Sequence, residues 1–251
     1  MDVEALAGRL IAARQSGKRL ASLSADEAPA TAEEGYALQD VILRRLGIAI
    51  AGWKAGASSP TAEPQAGPIL ADRMKPSPAR FALLPNALRT VEAELAFRFG
   101  RDLPSRATPY AENEVWDAID TLHVGIEVLE SSFVDRRFVP EHAVLGDLLN
   151  NGAYAYGPAI TNWRDRELGK PKAVLIIDGK EVRRADAGTP GGHPKRLLTF
   201  LVNHAADRGL AIKRGDIVTT GSHTGMLDAP AGSTVTARFE GIGEASLTFT
   251  A

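Results

Sequence analysis

The chain has 251 residues, 44% of them apolar and 24% charged, with a formal net charge of -2. That length and apolar content can bury a sizeable core, which excludes wholesale disorder. The near balance of charge, with basic pairs such as Arg136-Arg137, Arg183-Arg184 and Lys195-Arg196 scattered and free of interleaved aromatics, speaks against nucleic acid or an anionic membrane as partner.

Cysteine is absent, so disulfides and zinc-thiolate sites are excluded and any metal must sit on oxygen or imidazole. The segment from Met1 to Gln15 lacks the basic start and apolar run of a signal peptide, and no run of 18 apolar residues occurs. The expectation is a cytoplasmic protein without a membrane span.

Val3, Leu6, Ala7, Leu10 and Ile11 recur at helical spacing, and Gly17 is placed to stop that helix. Thr31-Ala32-Glu33-Glu34 reads as a capping box ahead of a second helix carrying Tyr36, Leu38, Val41, Ile42 and Leu46 and ending near Gly47. Glycine and proline dominate from Gly52 to Pro78, which reads as a short strand around Ala51–Lys54 followed by an ordered loop. From Thr90 to Phe99 the residues alternate, with Val91, Ala93, Leu95, Phe97 and Phe99 facing one way and Glu92, Glu94 and Arg98 the other. Ala111 to Leu122 reads as helical, on a stripe of Val115, Ile119 and Leu122, and His123 to Leu129 as strand.

A short helical stretch from Glu141 to Leu149 precedes a strand near Tyr154–Tyr156. Lys172 to Arg183 reads as a hairpin turned at Asp178-Gly179. His193-Pro194 opens a helix through Leu197, Leu198 and Leu201 that Gly209 closes. Strands at Asp216–Thr220, Thr234–Phe239 and Glu244–Phe249 complete an α+β chain, helical at the front and β-rich behind. The expected division is a helical N-terminal region with an ordered loop over 1–78 and a β-rich core, where the chemistry is expected, over 79–251.

Glu92 and Glu94 share a strand face with Cα atoms about 6–7 Å apart, close enough to converge on one hard cation. The same pair also fits a solvent-facing strand edge. Glu127 lies in the apolar context VGIEVLE, where a buried carboxylate needs a partner: a shared cation, or a salt bridge to a residue such as Arg98. Three carboxylates suit Mg²⁺ or Mn²⁺ better than zinc. Lys54, within GWKAG, fits a proton shuttle with a pKa lowered by partial burial, and equally an ordinary snorkelling lysine. Thr220 to Gly225, which contains Ser222 and His223, offers hydroxyls and backbone amides in a tight turn able to hold a carboxylate or phosphate. His193 reads as a capping or packing residue, and no GxSxG elbow supports a serine hydrolase.

Taken in order along the chain, GWKAGASS, GPILADRM, VEAELAF, GIEVLESSF, GGHP, GDIVTTGSHTG and TARFEGIGEASLTF resemble the signatures of the 2-keto-4-pentenoate hydratase and 4-oxalocrotonate decarboxylase family, within the fumarylacetoacetate hydrolase fold group. The resemblance implies a helical N-terminal part packed on a mixed β-roll core, in a homo-oligomer or in complex with a paralogous enzyme of the same pathway. It implies Mg²⁺ or Mn²⁺ on Glu92, Glu94 and Glu127, Lys54 as the acid/base residue, and Asp72 and Ser222 lining the substrate end of the pocket; Ser59 and His223 are further candidates for substrate binding. The implied activity is addition of water to a small 2-hydroxy-2,4-dienoic acid to give a 4-hydroxy-2-oxo acid. A 2-oxo-dicarboxylate decarboxylase and a non-catalytic partner subunit are the alternatives. Departures from the family pattern fall at Glu130-Ser131-Ser132, at His223, where leucine is usual, and over Asn150 to Tyr154.

Overall fold

The computed structural model describes residues 1–84, 86–135 and 138–250. The pair Arg136-Arg137 lies outside the described residues.

Two helices open the chain, α1 (Val3–Ser16) and α2 (Ala32–Leu46), each closed by a left-handed glycine, Gly17 and Gly47. Thr31 caps α2 by accepting from the Glu34 amide, but the Glu34 carboxylate reaches back to the Ala30 amide rather than to Thr31. The Gly/Pro-rich stretch holds more strand than its composition suggests: β1 (Ile50–Gly56), β2 (Gln65–Leu70) and β3 (Met74–Pro76), with a 3-10 turn at Ala71–Arg73. Pro68 is tolerated in β2 because β2 is an edge strand, where a missing N–H breaks no ladder.

Next come β4 (Ala79–Ala82), β5 (Thr90–Phe99), a short α3 (Glu112–Asp117) and β6 (Ile119–Leu129). The helix expected through Leu122 therefore stops five residues early. Ile119 and Leu122 pair instead with Phe99 and Phe97 of β5, and the ladder outweighs the helical spacing of their side chains. The chain continues with α4 (Glu141–Gly146), β7 (Asn151–Tyr156) and the hairpin β8 (Ala173–Ile177) and β9 (Lys180–Ala185). It ends with α5 (Pro194–Asp207), β10 (Ile217–Ser222), β11 (Leu227–Asp228), β12 (Thr234–Phe239) and β13 (Gly243–Thr250).

The strands form two sheets. The larger runs β2-β1-β10-β5-β6-β7-β3 with β11 beside β5, and the smaller runs β4-β13-β12-β8-β9. Between them lies the main core, where Val91, Leu95, Phe97 and Phe99 of β5 meet Val235, Phe239, Leu247 and Phe249 of the smaller sheet. A second apolar cluster joins α1 and α2 through Leu6, Leu10, Leu38 and Ile42 to Leu70, Phe133 and Leu148. The larger sheet also curls, because β2 packs against β7 across its concave face. The glutamate-bearing side of β5 and β6 looks into that trough. Both faces of β5 are thus covered, which is why its polar-facing residues are nearly as buried as its apolar ones. Among the described residues no helix is long and apolar enough to cross a membrane.

Candidate active site

The antiparallel register of β5 and β6 sets Glu92 directly opposite Glu127, and Glu94 opposite Gly125. All three glutamates leave the sheet on the same face, and one oxygen of each lies within 4.8 Å of the others. Glu94 and Glu127 are 1% and 0% exposed, while Glu92 is half-buried. The solvent-facing strand edge is thereby set aside: these carboxylates point inward.

Lys54, on β1, crosses the trough to Glu127. Its Nζ donates to Oε1 at 2.6 Å and Oε2 at 2.7 Å, and to the Leu149 carbonyl at 3.1 Å. The partner of Glu127 is therefore Lys54 and not Arg98, whose guanidinium lies over the Tyr156 ring. Asn151 adds a third donor to Glu127, Nδ2 to Oε1 at 2.8 Å. The carbonyl that receives Lys54 belongs to a turn in which Leu148, Leu149 and Asn150 all have positive φ, at 52°, 50° and 57°. Such a run of non-glycine residues costs of order 1–3 kcal/mol per position and is held only where its surroundings enforce it. Gly67 of β2 is part of that enforcement, since a Cβ there would stand 2.8 Å from the Leu149 Cβ.

The electrostatics follow from burial and crowding. Burial, together with the charges of Glu127 and Glu92, raises the Glu94 carboxyl well above the usual carboxylate range. Burial alone would depress the Lys54 ammonium, but the charges of Glu127, Glu94 and Glu92 outweigh it and raise the pKa, so the lysine holds its proton. The lowered pKa expected from the sequence is reversed, because the partner carboxylates were not visible there. The Thr219 hydroxyl donates to Glu94 Oε2. Three carboxylates converge there beside the Lys54 ammonium, and an all-oxygen set of this kind fits a hard divalent cation.

The remaining sequence candidates scatter. Ser222 pairs with Glu94 across β10 and β5, and among the described residues its buried hydroxyl has no hydrogen-bond partner. His223, one residue on, faces the other way: its amide donates to the Ala93 carbonyl and its ring stands edge-on to Phe239, 5.0 Å away in the inter-sheet core. Burial there lowers its pKa to about 4. Strand alternation thus removes His223 from the glutamates, and a carboxylate-recognition role for it is not compatible with this placement.

Ser59 sits in the turn after β1, its hydroxyl accepting from the Ala62 amide at 3.0 Å. Asp72 lies on the 3-10 turn, half-exposed and 3.6 Å from Arg73, beside a cavity of about 610 Å³ walled by α1 and α2. Neither Ser59 nor Asp72 contacts the glutamates or Lys54 among the described hydrogen bonds and ion pairs. His193 caps α5, accepting from the Lys195 amide. Nothing in the sequence singles out Thr219, Asn151 and Tyr154 as site residues. Tyr154 is marked by its register opposite Glu127, and Thr219 and Asn151 by their hydrogen bonds to Glu94 and Glu127.

The model of the fumarylacetoacetate (FAA) hydrolase C-terminal family matches residues 83–250. A 2-keto-4-pentenoate hydratase of Paraburkholderia phymatum is 27% identical, the match covering 98% of this chain and 97% of that protein. A 4-oxalocrotonate decarboxylase of Pseudomonas putida is 27% identical over 54% of this chain and 51% of its own length. Among solved structures, the 4-oxalocrotonate decarboxylase of Pseudomonas putida G7 complexed with magnesium and adipate superposes with a TM-score of 0.85 at 23% identity, covering 98% of this chain and 97% of that one. With the family model spanning more than half its length, including all three trough glutamates, the chain belongs to the fumarylacetoacetate hydrolase family.

Proposed function

We propose that the protein is a divalent-metal-dependent hydratase that converts a 2-hydroxy-2,4-dienoate to a 4-hydroxy-2-oxo acid. The observation that carries this reading is the convergence of Glu92, Glu94 and Glu127 within 4.8 Å, with the protonated Lys54 on Glu127. The full-length similarity to a 2-keto-4-pentenoate hydratase supports it.

In this reading Glu92, Glu94 and Glu127 hold Mg²⁺ or Mn²⁺, which supplies Lewis-acid stabilisation of negative charge on the oxygens of the 2-oxo acid. Lys54 holds a proton at Nζ, and the Leu149 carbonyl and Glu127 fix that nitrogen in the trough. For 2-hydroxypenta-2,4-dienoate, a proton passes to C5 as the 2-hydroxyl loses its own, leaving an α,β-unsaturated 2-oxo acid. Water then adds its oxygen to C4 while C3 takes a proton, and Lys54 serves these transfers as general acid/base. Ser222, beside Glu94, offers its unpartnered hydroxyl to the substrate carboxylate. A cytoplasmic homo-oligomer is part of the same reading.

Removal of CO₂ from a 2-oxo diacid generates the same kind of enolate charge, and the decarboxylase relative keeps that second reading in view. The test is the ultraviolet decay of 2-hydroxypenta-2,4-dienoate by chelator-treated protein before and after addition of Mg²⁺ or Mn²⁺, with products identified by mass spectrometry. Metal-dependent appearance of 4-hydroxy-2-oxopentanoate is expected. No turnover with either ion, alongside CO₂ release from a 2-oxo diacid, overturns the hydratase in favour of the decarboxylase.

A further inference from the structure

Glu94 is the less well provided of the two fully buried carboxylates. Glu127 accepts two hydrogen bonds from Lys54 and one from Asn151, whereas Glu94 accepts one, from the Thr219 hydroxyl. That hydroxyl has a single proton, and the Leu95 carbonyl 3.2 Å away competes for it.

Beside this poorly supplied acceptor lies a donor without an acceptor. Tyr154 is 0% exposed, and among the described residues its hydroxyl has no partner in hydrogen-bond geometry, although the Thr219 side chain is near enough to act on its pKa. Its position follows from register. Tyr154 pairs with Glu127 across β6 and β7, so the phenol leaves the sheet on the glutamate face. The ring leans over Gly125, where a Cβ would stand 1.9 Å from the phenol oxygen. Gly125 is itself the cross-strand partner of Glu94, and the Cβ positions of such partners are about 4.5–5.5 Å apart. The phenol oxygen therefore occupies the space a Gly125 side chain would fill, at the flank of Glu94 and Thr219. Burial and the neighbouring charge of Glu94 hold its pKa well above the usual tyrosine value, so it stays a neutral donor.

We propose that Tyr154 is a positioning residue of the metal centre, its O–H donating into the Glu94–Thr219 pair and holding the Glu94 carboxylate toward Glu92 and Glu127. This rests on the metal-binding reading of the three glutamates. A tyrosine that only filled the apolar pocket of Ile69, Ala96 and Ile217 would be replaceable by phenylalanine without consequence. A donor to a ligand carboxylate is not replaceable in this way, since loss of such outer partners typically costs about 10- to 100-fold in metal affinity.

The experiment is a Mn²⁺ titration followed by electron paramagnetic resonance, on the wild-type chain and on Tyr154→Phe, Thr219→Val, Thr219→Ser and the Tyr154→Phe/Thr219→Val double variant. Unfolding in chelator checks that each variant is folded. The expected result is a Kd weakened about tenfold in Tyr154→Phe and in Thr219→Val, near wild type in Thr219→Ser, and less than additive in the double variant. Wild-type binding with a Tyr154→Phe Kd within about twofold overturns this inference alone. Absence of Mn²⁺ binding by the wild type overturns the metal reading beneath it. The Thr219 pair keeps the test decisive if Tyr154→Phe does not fold, because Val and Ser weakening binding equally contradicts the hydroxyl chain.

Discussion

Asp147 and the trough glutamates are both buried acids, and they are built in opposite ways. Asp147, 0% exposed, accepts from Arg14 Nε, the Ser132 amide and the Ser132 hydroxyl, each at 2.7 Å. The same Arg14 donates to the Asp147 and Asn151 carbonyls, so one guanidinium ties α1 to the turn that leads into β7. Every charge in that network has its counterpart. In the trough, three carboxylates face Lys54, and among the described residues the buried Ser222 hydroxyl beside them has no hydrogen-bond partner. An acid that serves the fold comes with its full set of donors, because a buried charge left short is costly. Three carboxylate oxygens within 4.8 Å of one another form a set that a hard cation would complete.

That contrast can be broken by substitution. Lys54→Met removes the proposed proton carrier and is expected to lower kcat by about 10²- to 10⁴-fold. Because Lys54 occupies both Glu127 oxygens, the Mn²⁺ Kd of this variant should not weaken. A weakened Kd in titration would show that the lysine supports the metal rather than the chemistry. Asp147→Asn reverses the pattern. It leaves Arg14 facing a neutral partner, and chemical denaturation should register a loss of about 3–5 kcal/mol with kcat retained at low temperature.

His223 is a third case, a buried imidazole whose Nδ1 has no hydrogen-bond partner among the described residues. Its folded pKa is about 4 against an ordinary 6.5, so the unfolded chain takes up the proton first as pH falls. Stability from this residue is therefore present above pH 6.5 and lost toward pH 4. At about 1.4 kcal/mol per tenfold in proton affinity, the loss is worth roughly 3 kcal/mol. In His223→Leu the fall in stability between those pH values should be smaller by that amount, read from melts across the range. An unchanged pH profile would place the imidazole in contact with water. The smallest expected effect is the gain from the ion itself: Mg²⁺ at a hundred times its Kd should stabilise the fold by about 2.7 kcal/mol, and Glu127→Gln should abolish the gain.

Much of this arrangement is legible in the sequence where chemistry and period coincide. Glu92 and Glu94 lie two residues apart within an alternating run, so a shared face follows from strand geometry alone. The apolar neighbours of Glu127 announce its burial, and Gly17 and Gly47 announce the ends of α1 and α2. Features set by pairing between distant segments are not legible. Val115, Ile119 and Leu122 keep a helical spacing, yet the last two serve a strand because β5 lies beside them. β2 hides in a Gly/Pro-rich stretch because its ladder comes from β1. The turn after β10 is recognisable as a loop of hydroxyls, but not that Ser222 faces the trough while His223 faces the core. Tyr154 acquires its meaning only from a glycine on the neighbouring strand that makes room for its hydroxyl.

The most direct test of the trough as a metal centre is an anomalous difference map from crystals grown with Mn²⁺. The geometry calls for one strong peak within about 2.0–2.3 Å of a carboxylate oxygen of each of Glu92, Glu94 and Glu127, absent from crystals of Glu127→Gln. A trough without a peak at saturating Mn²⁺, or a peak held by other residues, would contradict the account.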